Sequence, residues 1–258
     1  MVKFCVLASG SSGNAAFLGT SRTRILIDAG LSVRDLCRRL EAIGESCETI
    51  DAVLITHEHS DHVCGLLRLL RKRNLSVPVY ITWLTKPAID WEDCNPITEQ
   101  FQAGLSFSIG DIEVSSFSVP HDASDPVGFT FRAEGVRIGI ATDLGYIPDS
   151  IRFHLRGVDL LLLESNHDIE MLKVGPYPWS IKQRVMGRRG HLSNDMVCDF
   201  VGQDLDTSTS TLVLGHLSEQ NNHPELVRMG AAQALEARGH RAKLVVAEQS
   251  RPSEVFAF

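Results

Sequence analysis

The residues best suited to chemistry are three histidines and an aspartate that fall within six positions. They follow the apolar run Ala52–Ile55 in the order His57, His59, Asp61 and His62. Imidazole and carboxylate are ligands that suit zinc, manganese and iron. The first two histidines can point at one spot, and the last two residues, at the start of a helix-like run, can point at another. This spacing favours two adjacent metal sites over a histidine-rich surface loop.

Three further residues stand in the same context, each directly after an apolar, strand-like run and beside a turn. They are His121, Asp143 and His216. Any one of them alone could be an ordinary loop residue. Together with the cluster, they predict a complete ligand set for two metal ions.

A two-metal site of this kind predicts hydrolysis. Two ions about 3.5–4 Å apart lower the pKa of a shared water and clamp the attacking and leaving oxygens. The nucleophile would be a hydroxide bridging the two metals, so no serine or cysteine nucleophile is needed. The donor set leaves the native metal open among zinc, manganese and iron.

The elements that must position these residues alternate between short strands and amphipathic helices. The predicted strands are Phe4–Leu7, Ala15–Leu18, Arg24–Ile27, Ala52–Thr56, Leu105–Ile109, Ile112–Val119, Val127–Ala133, Val136–Ala141, Leu160–Leu163, Thr211–Leu214, Lys243–Ala247 and Glu254–Phe256. The predicted helices are the run capped by Ser32 and ended by Gly44, then Val63–Arg73, Trp179–Gly187, Asn194–Val201 and Pro224–Arg238. This order favours an α/β (α+β) fold of two packed mixed sheets with outer helices over a doubly wound parallel sheet. No linker or internal repeat interrupts residues 1–258, so we expect one domain.

Composition sets broad limits on function. The chain has 258 residues, of which 43% are hydrophobic, and a net charge of −7. That charge argues against a non-specific nucleic-acid binder but does not exclude a local basic patch. No apolar run approaches the ~20 residues that span a bilayer, and residues 1–8 are too short for a signal-peptide core. We therefore expect a cytoplasmic protein without a membrane partner, whose six cysteines are reduced and mostly buried.

The ligand pattern resembles that of the metallo-β-lactamase superfamily, and Asp28 matches the superfamily's first motif. The resemblance is closer to the YycJ (WalJ)-like branch, through segments spread over nearly the whole chain. They are Leu7–Asn14, Ile55–His62, His121–Ala123, Glu164–Asp168, Gly175–Pro178, Gly190–Asn194 and Gly215–Ser218. The resemblance implies an αββα sandwich with the site between the sheet edges. It also implies a metal-dependent phosphodiesterase with 5′-to-3′ DNA exonuclease activity.

The resemblance also implies a role for each site residue. One metal would be held by His57, His59 and His121, the other by Asp61, His62 and His216, with Asp143 bridging the two. Asp28 would hydrogen-bond the ligand loop and orient a histidine; alternatively, it caps the turn before Gly30. His191 would protonate the leaving oxygen or donate to a phosphate oxygen; alternatively, it merely precedes a helix capped by Ser193.

Two segments are candidates for binding DNA. Residues 171–190 carry five basic side chains and no acidic one, with Tyr177 and Trp179 among them. They could follow a nucleic-acid backbone or form a solvated helix face. The loop Ser9–Asn14 could offer backbone N–H groups to a phosphate, or it could be a plain Gly/Ser turn.

Spacing disfavours several relatives. His121 and Asp143 are 22 positions apart, too few for the tRNA-gripping arm of ribonuclease Z-like enzymes. Asp143 and His216 are 73 positions apart, too few for the inserted domain of β-CASP nucleases. The histidine at position 59 disfavours diiron oxygen reductases, and nothing signals secretion, which disfavours β-lactam hydrolysis. A small cyclic or nucleotide phosphodiester as the substrate, or a non-catalytic metal-binding role, stays open, as does the oligomeric state.

Overall fold

Two seven-stranded β-sheets form the centre of the molecule in a computed structural model that describes residues 1–74 and 76–258. The first sheet contains β1 (Lys3–Ala8), β2 (Ala15–Gly19), β3 (Arg24–Ile27), β4 (Ala52–Leu54), β5 (Val79–Thr82) and β6 (Thr98–Phe101). The second contains β7 (Ser106–Ile109), β8 (Ile112–Ser118), β9 (Val127–Ala133), β10 (Val136–Ala141), β11 (Leu160–Glu164), β12 (Thr211–Gly215) and β13 (Lys243–Val246). The last strand, β14 (Phe256–Ala257), returns to pair with β1 in the first sheet.

The helices of the described residues are short and lie between strands. They are α1 (Val33–Ala42), α2 (Ser60–Val63), α3 (Leu66–Lys72), α4 (Asp149–Leu155), α5 (Ile169–Val174), α6 (Trp179–Val185), α7 (Asn194–Gln203) and α8 (Pro224–Ala237). Single 3₁₀ turns cover Cys47–Thr49 and Lys86–Ala88. Within residues 1–74 and 76–258, none of these helices has the length and hydrophobicity needed to cross a membrane.

Both sheets are mixed, and each has a parallel half. The strands β3 to β6 pair parallel in the first sheet, and β10 to β13 pair parallel in the second. The remaining pairings are antiparallel. Parallel neighbours end at the same edge of a sheet, so residues that follow these strands are brought together without a long loop.

Three apolar layers hold the sheets and helices in a four-layer order. The central layer joins the inner sheet faces through side chains such as Phe4, Leu54 and Phe129. A second layer packs α1 and α3 on the outer face of the first sheet, and a third packs α4, α7 and α8 on the second. Each fully buried large apolar side chain contributes about 1.5–3 kcal/mol. The predicted arrangement of two packed sheets with outer helices is therefore confirmed.

Helix starts follow local side-chain chemistry, with one correction. Ser32 accepts a hydrogen bond from the Asp35 backbone N–H, as the predicted N-cap requires. The predicted helix over Val63–Arg73 is instead broken between α2 and α3 at Gly65. A Cβ at Gly65 would lie 1.9 Å from the carbonyl oxygen of Leu31, so this close approach requires glycine.

The prediction that the cysteines are reduced is wrong for two of the six, and the other four are free. Cys37 and Cys47 form a disulfide, with Cα atoms 5.3 Å apart. The contact arises because the middle of α1 and the following 3₁₀ turn pack side by side. Among the other cysteines, Cys5 is buried whereas Cys64 is exposed.

Candidate metal centre

The candidate ligands lie where the parallel halves of the two sheets end. Asp28 follows β3, His57 follows β4, Asp143 follows β10 and His216 follows β12, while Glu164 is the last residue of β11. The sheets face each other, so these carboxyl ends meet at one edge of the sandwich. They surround the floor of a cavity of about 210 Å³.

The first ligand group contains His57, His59 and His121, whose ligand-type atoms lie within 4.8 Å of one another. The His121 Nε2 is 3.3 Å from His59 Nδ1. The other nitrogen of His121, Nδ1, donates to the Gly190 carbonyl at 3.0 Å. That bond fixes the ring and leaves its Nε2 lone pair directed into the group.

The second ligand group contains Asp61, His62 and His216, again within 4.8 Å. The His62 Nδ1 lies 2.8 Å from an Asp28 oxygen, and the His216 Nδ1 lies 2.8 Å from Glu164 Oε1. Each carboxylate accepts the Nδ1 proton, so the lone pair is on the opposite Nε2; that of His62 lies 3.1 Å from the Asn14 side-chain amide. Asp61 Oδ2 is 3.5 Å from both of these Nε2 atoms.

Asp143 connects the two groups. Its Oδ2 is 3.3 Å from His62 Nε2, and its Oδ1 is 3.4 Å from His216 Nε2 and 3.8 Å from His121 Nε2. The side chain is buried, with 2% of its surface exposed. This carboxylate is the one shared feature through which two adjacent cations could be held.

The ligand set fits cations because several of its buried acceptor atoms have no hydrogen-bond donor among the described residues. His57 Nε2, His216 Nε2 and Asp143 Oδ2 are buried and have no hydrogen-bond partner in the part of the chain that the structure describes. An unpaired buried polar atom is costly, so several at one point indicate a missing partner. Nitrogen and carboxylate oxygen atoms in this arrangement suit two divalent metal ions.

The pKa values of the histidines also indicate that the site needs positive charge. Burial alone would lower the pKa of His216, but Asp143, Asp61 and Glu164 outweigh it and raise that pKa to about 10. The pKa of His62 is also well above its usual value, since Asp143 and Asp28 outweigh burial. Burial instead holds the pKa of His57 well below its usual range. The carboxylates thus require positive charge, and divalent cations would supply it while releasing these protons.

Three residues of the site have an unusual backbone conformation. Asp28, Asp143 and His216 have φ between 57° and 59°, the left-handed region that non-glycine residues seldom adopt. Each such residue costs about 1–3 kcal/mol, which the surrounding structure has to offset. All three occur at the turn where a parallel strand ends, and the turn aims each side chain into the site.

The sequence reasoning assigned no role to Glu164, which the structure places at the centre of the site. Its side chain is fully buried, and Oε1 lies 2.6 Å from His191 Nδ1 as well as 2.8 Å from His216 Nδ1. Although burial opposes ionisation, His191 and His216 lower the pKa of Glu164 to about 2. This ionised carboxylate therefore orients one candidate ligand and one candidate acid.

His191 lies in the wall of the cavity with about a fifth of its side chain exposed. Burial lowers its pKa, but Glu164 outweighs that effect, so the pKa is raised above the usual value. Because Nδ1 is bound to Glu164, Nε2 is the ring nitrogen available to a ligand. Ser193 caps α7, as the structural alternative predicted; the proton-donor role of His191 stays a prediction.

The basic segment 171–190 does not present five free charges. Lys182 is buried and donates to the Lys173 and Gly175 carbonyls. Lys173 and Arg184 pair with acidic side chains, Arg189 donates to a backbone carbonyl, and Arg188 lies over the Tyr146 ring. The segment still lines the cavity, but largely through uncharged side chains.

The loop Ser9–Asn14 also differs from the prediction of a phosphate-binding loop. The N–H groups of Gly10, Ser12, Gly13 and Asn14 all donate within the protein. These four backbone N–H groups are therefore not available to a phosphate. For them, the alternative prediction of a structural Gly/Ser turn is the correct one. The Ser11 side chain remains in the cavity wall.

Replacing Asp28 with Asn is expected to weaken metal binding about 10- to 100-fold, because the His62 ring loses its charged partner. Thr56 donates to the same carboxylate through its N–H and hydroxyl. Isothermal titration of the metal-stripped protein would measure the change. Asp111→Asn is a matched control, since Asp111 also accepts from threonine hydroxyls but contacts no histidine. Equal metal affinity in wild type and Asp28→Asn would rule out the orienting role.

Replacing Gly30 with Ala is expected to destabilise the fold by about 3 kcal/mol, because the ligand loop packs against this residue. A Cβ there would lie 1.6 Å from the Asp61 carbonyl oxygen and 2.7 Å from the Asn14 nitrogen. Urea unfolding would measure the loss. Gly202→Ala in α7 is the control: its Cβ would meet nothing within 4 Å, so stability should hold or rise slightly. A Gly30→Ala variant as stable as wild type would contradict this packing.

Comparison with known proteins places these features in context. A sequence profile described as a beta-lactamase superfamily domain matches residues 23–217. The chain is 39% identical over 239 residues to exodeoxyribonuclease YycJ of Bacillus anthracis, covering 92% of this chain and 90% of that protein. It is 38% identical over 230 residues to exodeoxyribonuclease WalJ of Streptococcus pneumoniae, covering 88% and 86%.

A solved structure supports the fold independently. The metallo-beta-lactamase fold protein YhfI from Bacillus subtilis superposes with a TM-score of 0.75 at 14% identity, over 98% of this chain and 100% of that one. At this identity, the likeness concerns the fold alone. It confirms the αββα sandwich that the resemblance implied.

Proposed function

The chain belongs to the metallo-β-lactamase superfamily, in the branch of YycJ and WalJ, and from that premise we propose that it is a dinuclear-metal phosphodiesterase that shortens DNA from its 5′ end. One observation carries the proposal: the two ligand groups adjoin through Asp143, with one buried acceptor atom in each of His57, His216 and Asp143 unpaired among the described residues. The relatives YycJ and WalJ are both exodeoxyribonucleases, which supports DNA as the substrate.

The donor geometry supports a specific division of ligands. We propose that His57, His59 and His121 hold one ion, that Asp61, His62 and His216 hold the other, and that Asp143 bridges them. When bound, two such ions would supply an activated water at neutral pH and neutralise charge on the phosphate. Zinc and manganese both fit the donors, and iron is compatible with them.

The remaining residues position groups and move a proton. His191 Nε2 donates a proton to the sugar oxygen that leaves the phosphorus, and Glu164 holds His191 through Nδ1 so that Nε2 faces the substrate. The same Glu164 oxygen orients His216, and Asp28 orients His62. Glu164 and Asp28 therefore act through the histidines that they hold. In this proposal, neither carboxylate contacts the substrate itself.

The proposal also covers the domain organisation and the cellular location of the protein. Residues 1–258 act as a single catalytic domain, which is supported by β14 returning from the end of the chain to pair with β1. The protein works in the cytoplasm, where a DNA substrate would be found.

Comparing linear and covalently closed circular DNA tests the proposed activity. The enzyme should release mononucleotides from linear DNA, with a 5′ label lost before a 3′ label, and leave the circle intact. Cleavage of the circle would contradict an exonuclease. Turnover of a small chromogenic phosphodiester without any turnover of DNA would instead indicate a small-molecule phosphodiesterase.

A further inference from the structure

We propose, resting on the exonuclease function above, that Tyr177, Ile181 and Val185 form a wall that binds the base of the terminal nucleotide. The base would enter the cavity unpaired and lie flat against this wall, referred to below as the base wall. The terminal nucleotide of a duplex would therefore separate from its partner before cleavage.

The base wall is built from helix α6 and the segment just before it. Ile181 and Val185 are spaced by four, the interval that places side chains one above another along a helix. Ile181 and Val185 belong to α6, Tyr177 lies two residues before it, and all three line the cavity that holds the candidate ligands. Ile181 keeps 38% of its surface exposed, and the other two are half-buried. The wall is therefore an apolar surface open to a ligand.

The cavity also has buried polar lining residues. Ser218 and Asn221 line it and are 5% and 1% exposed. The Ser218 hydroxyl oxygen accepts from the Asn221 N–H and side-chain amide. Among the described residues, no acceptor takes the hydrogen of that hydroxyl. A ligand held here would thus meet aromatic and aliphatic side chains as well as hydrogen-bonding groups. A nucleobase has both a π-face and a polar edge.

The wall is held in place by a buried ammonium group. Lys182 Nζ donates to the carbonyls of Lys173 and Gly175 at 2.7 and 2.8 Å. This ties the segment before Tyr177 to the helix that carries Ile181. Of the basic residues of the segment, Lys182 thus serves to build the wall.

The size of the cavity limits what can enter. Its volume of about 210 Å³ is below the ~300–1,000 Å³ of sites that enclose a drug-sized ligand. This space suits a single base better than a base pair with its two backbones. Because the candidate ligands lie in the same cavity, we expect the terminal nucleotide to enter it without its pairing partner.

Duplexes that differ only at the terminal nucleotide test the inference. One carries a normal 5′-terminal base, and the other carries an abasic nucleotide at that position. Wild type should release the base-bearing nucleotide about 5- to 150-fold faster in kcat/KM, which is the range expected for stacking on an aromatic ring. Tyr177→Ala should abolish that ratio, mainly by raising KM, whereas Tyr177→Phe should preserve it.

Trp179→Ala is the matched control. Trp179 is 61% exposed in the same segment but does not line the cavity, so its loss should leave the ratio unchanged. A wild-type ratio near one, or a Tyr177→Ala variant that slows both substrates equally, would overturn the base wall while leaving the exonuclease function standing. Failure of wild type to release any nucleotide from either duplex would overturn the exonuclease function, and the base wall with it.

Discussion

Replacing Asp61 with Ala or Asn is expected to lower kcat/KM on DNA by about a thousandfold or more, while the chain stays folded. A metal ion that stabilises charge in the transition state contributes several kcal/mol, and each 1.36 kcal/mol corresponds to a factor of ten. Asp61 Oδ2 lies 3.5 Å from Nε2 of both His62 and His216. Its loss therefore removes one of the three ligands of the second group. Its side chain is 21% exposed and outside the apolar layers, which is why folding should survive.

Metal content and thermal unfolding should be measured on the same preparations. The Asp61 variants should bind less metal yet unfold cooperatively. Asp149→Ala removes a carboxylate that is 97% exposed, and it should change neither property. His62→Ala should also be inactive, although it leaves the buried Asp28 without its histidine partner. Retention of wild-type activity in either the Asp61 or the His62 variant would refute the assigned ligand set.

Replacing His191 with Ala is expected to slow DNA cleavage about 10²- to 10⁴-fold, the usual contribution of a positioned general acid. The effect should be much smaller on a bis-aryl phosphodiester, because a nitrophenolate leaves without being protonated. Glu164→Gln should show this pattern together with an added slowing of both substrates, since Glu164 holds His191 Nδ1 at 2.6 Å and also orients His216. Steady-state kinetics with both substrates would give the ratio directly.

The comparison between substrates separates two explanations for a slow variant. If His191 only shaped the cavity or bound metal, both substrates would slow by the same factor. Equal slowing in His191→Ala would therefore count against a proton donor. Metal titration of the same variant should show near-normal binding, because the two ligand groups remain complete without it.

Most of the metal centre could be predicted because its residues share one sequence context. His57, Asp143 and His216 each come directly after an apolar strand, and parallel strands end at one edge of a sheet. Glu164 has the same context, as the residue that ends the apolar run Leu160–Leu163. It was missed because a buried carboxylate that orients histidines has no distinguishing spacing of its own. Its position at a strand end was the available signal.

The elements that sequence reasoning missed are short and weakly patterned. In β6, the sequence Thr98–Phe101 has one buried residue in four, since it is the outer strand of its sheet. α5 covers only Ile169–Val174, about one and a half turns, and its start depends on an N-cap bond from Asp168. Central strands such as Val127–Ala133 and Val136–Ala141 were predicted to the residue because both their length and their burial are marked.

The sequence alone could not reveal which groups the basic and cysteine side chains contact in the folded protein. The basic residues before His191 looked like a path for DNA, but Lys182 and Arg184 are committed to a carbonyl pair and to Asp122. The Cys37–Cys47 bond likewise depends on how α1 packs against a 3₁₀ turn, not on any spacing rule. Charge and cysteine patterns indicate which interactions a side chain can make. The fold determines which group it actually pairs with.

The central claim is that two metal ions, held by the two ligand groups joined at Asp143, carry out DNA hydrolysis. The most direct measurement is to strip the protein with a chelator, titrate zinc or manganese back, and record metal content and nucleotide release together. We predict no release from the stripped protein and full release only as occupancy reaches two ions per chain. Full activity in the stripped protein, saturation at one ion, or two bound ions without turnover of any phosphodiester would contradict the claim.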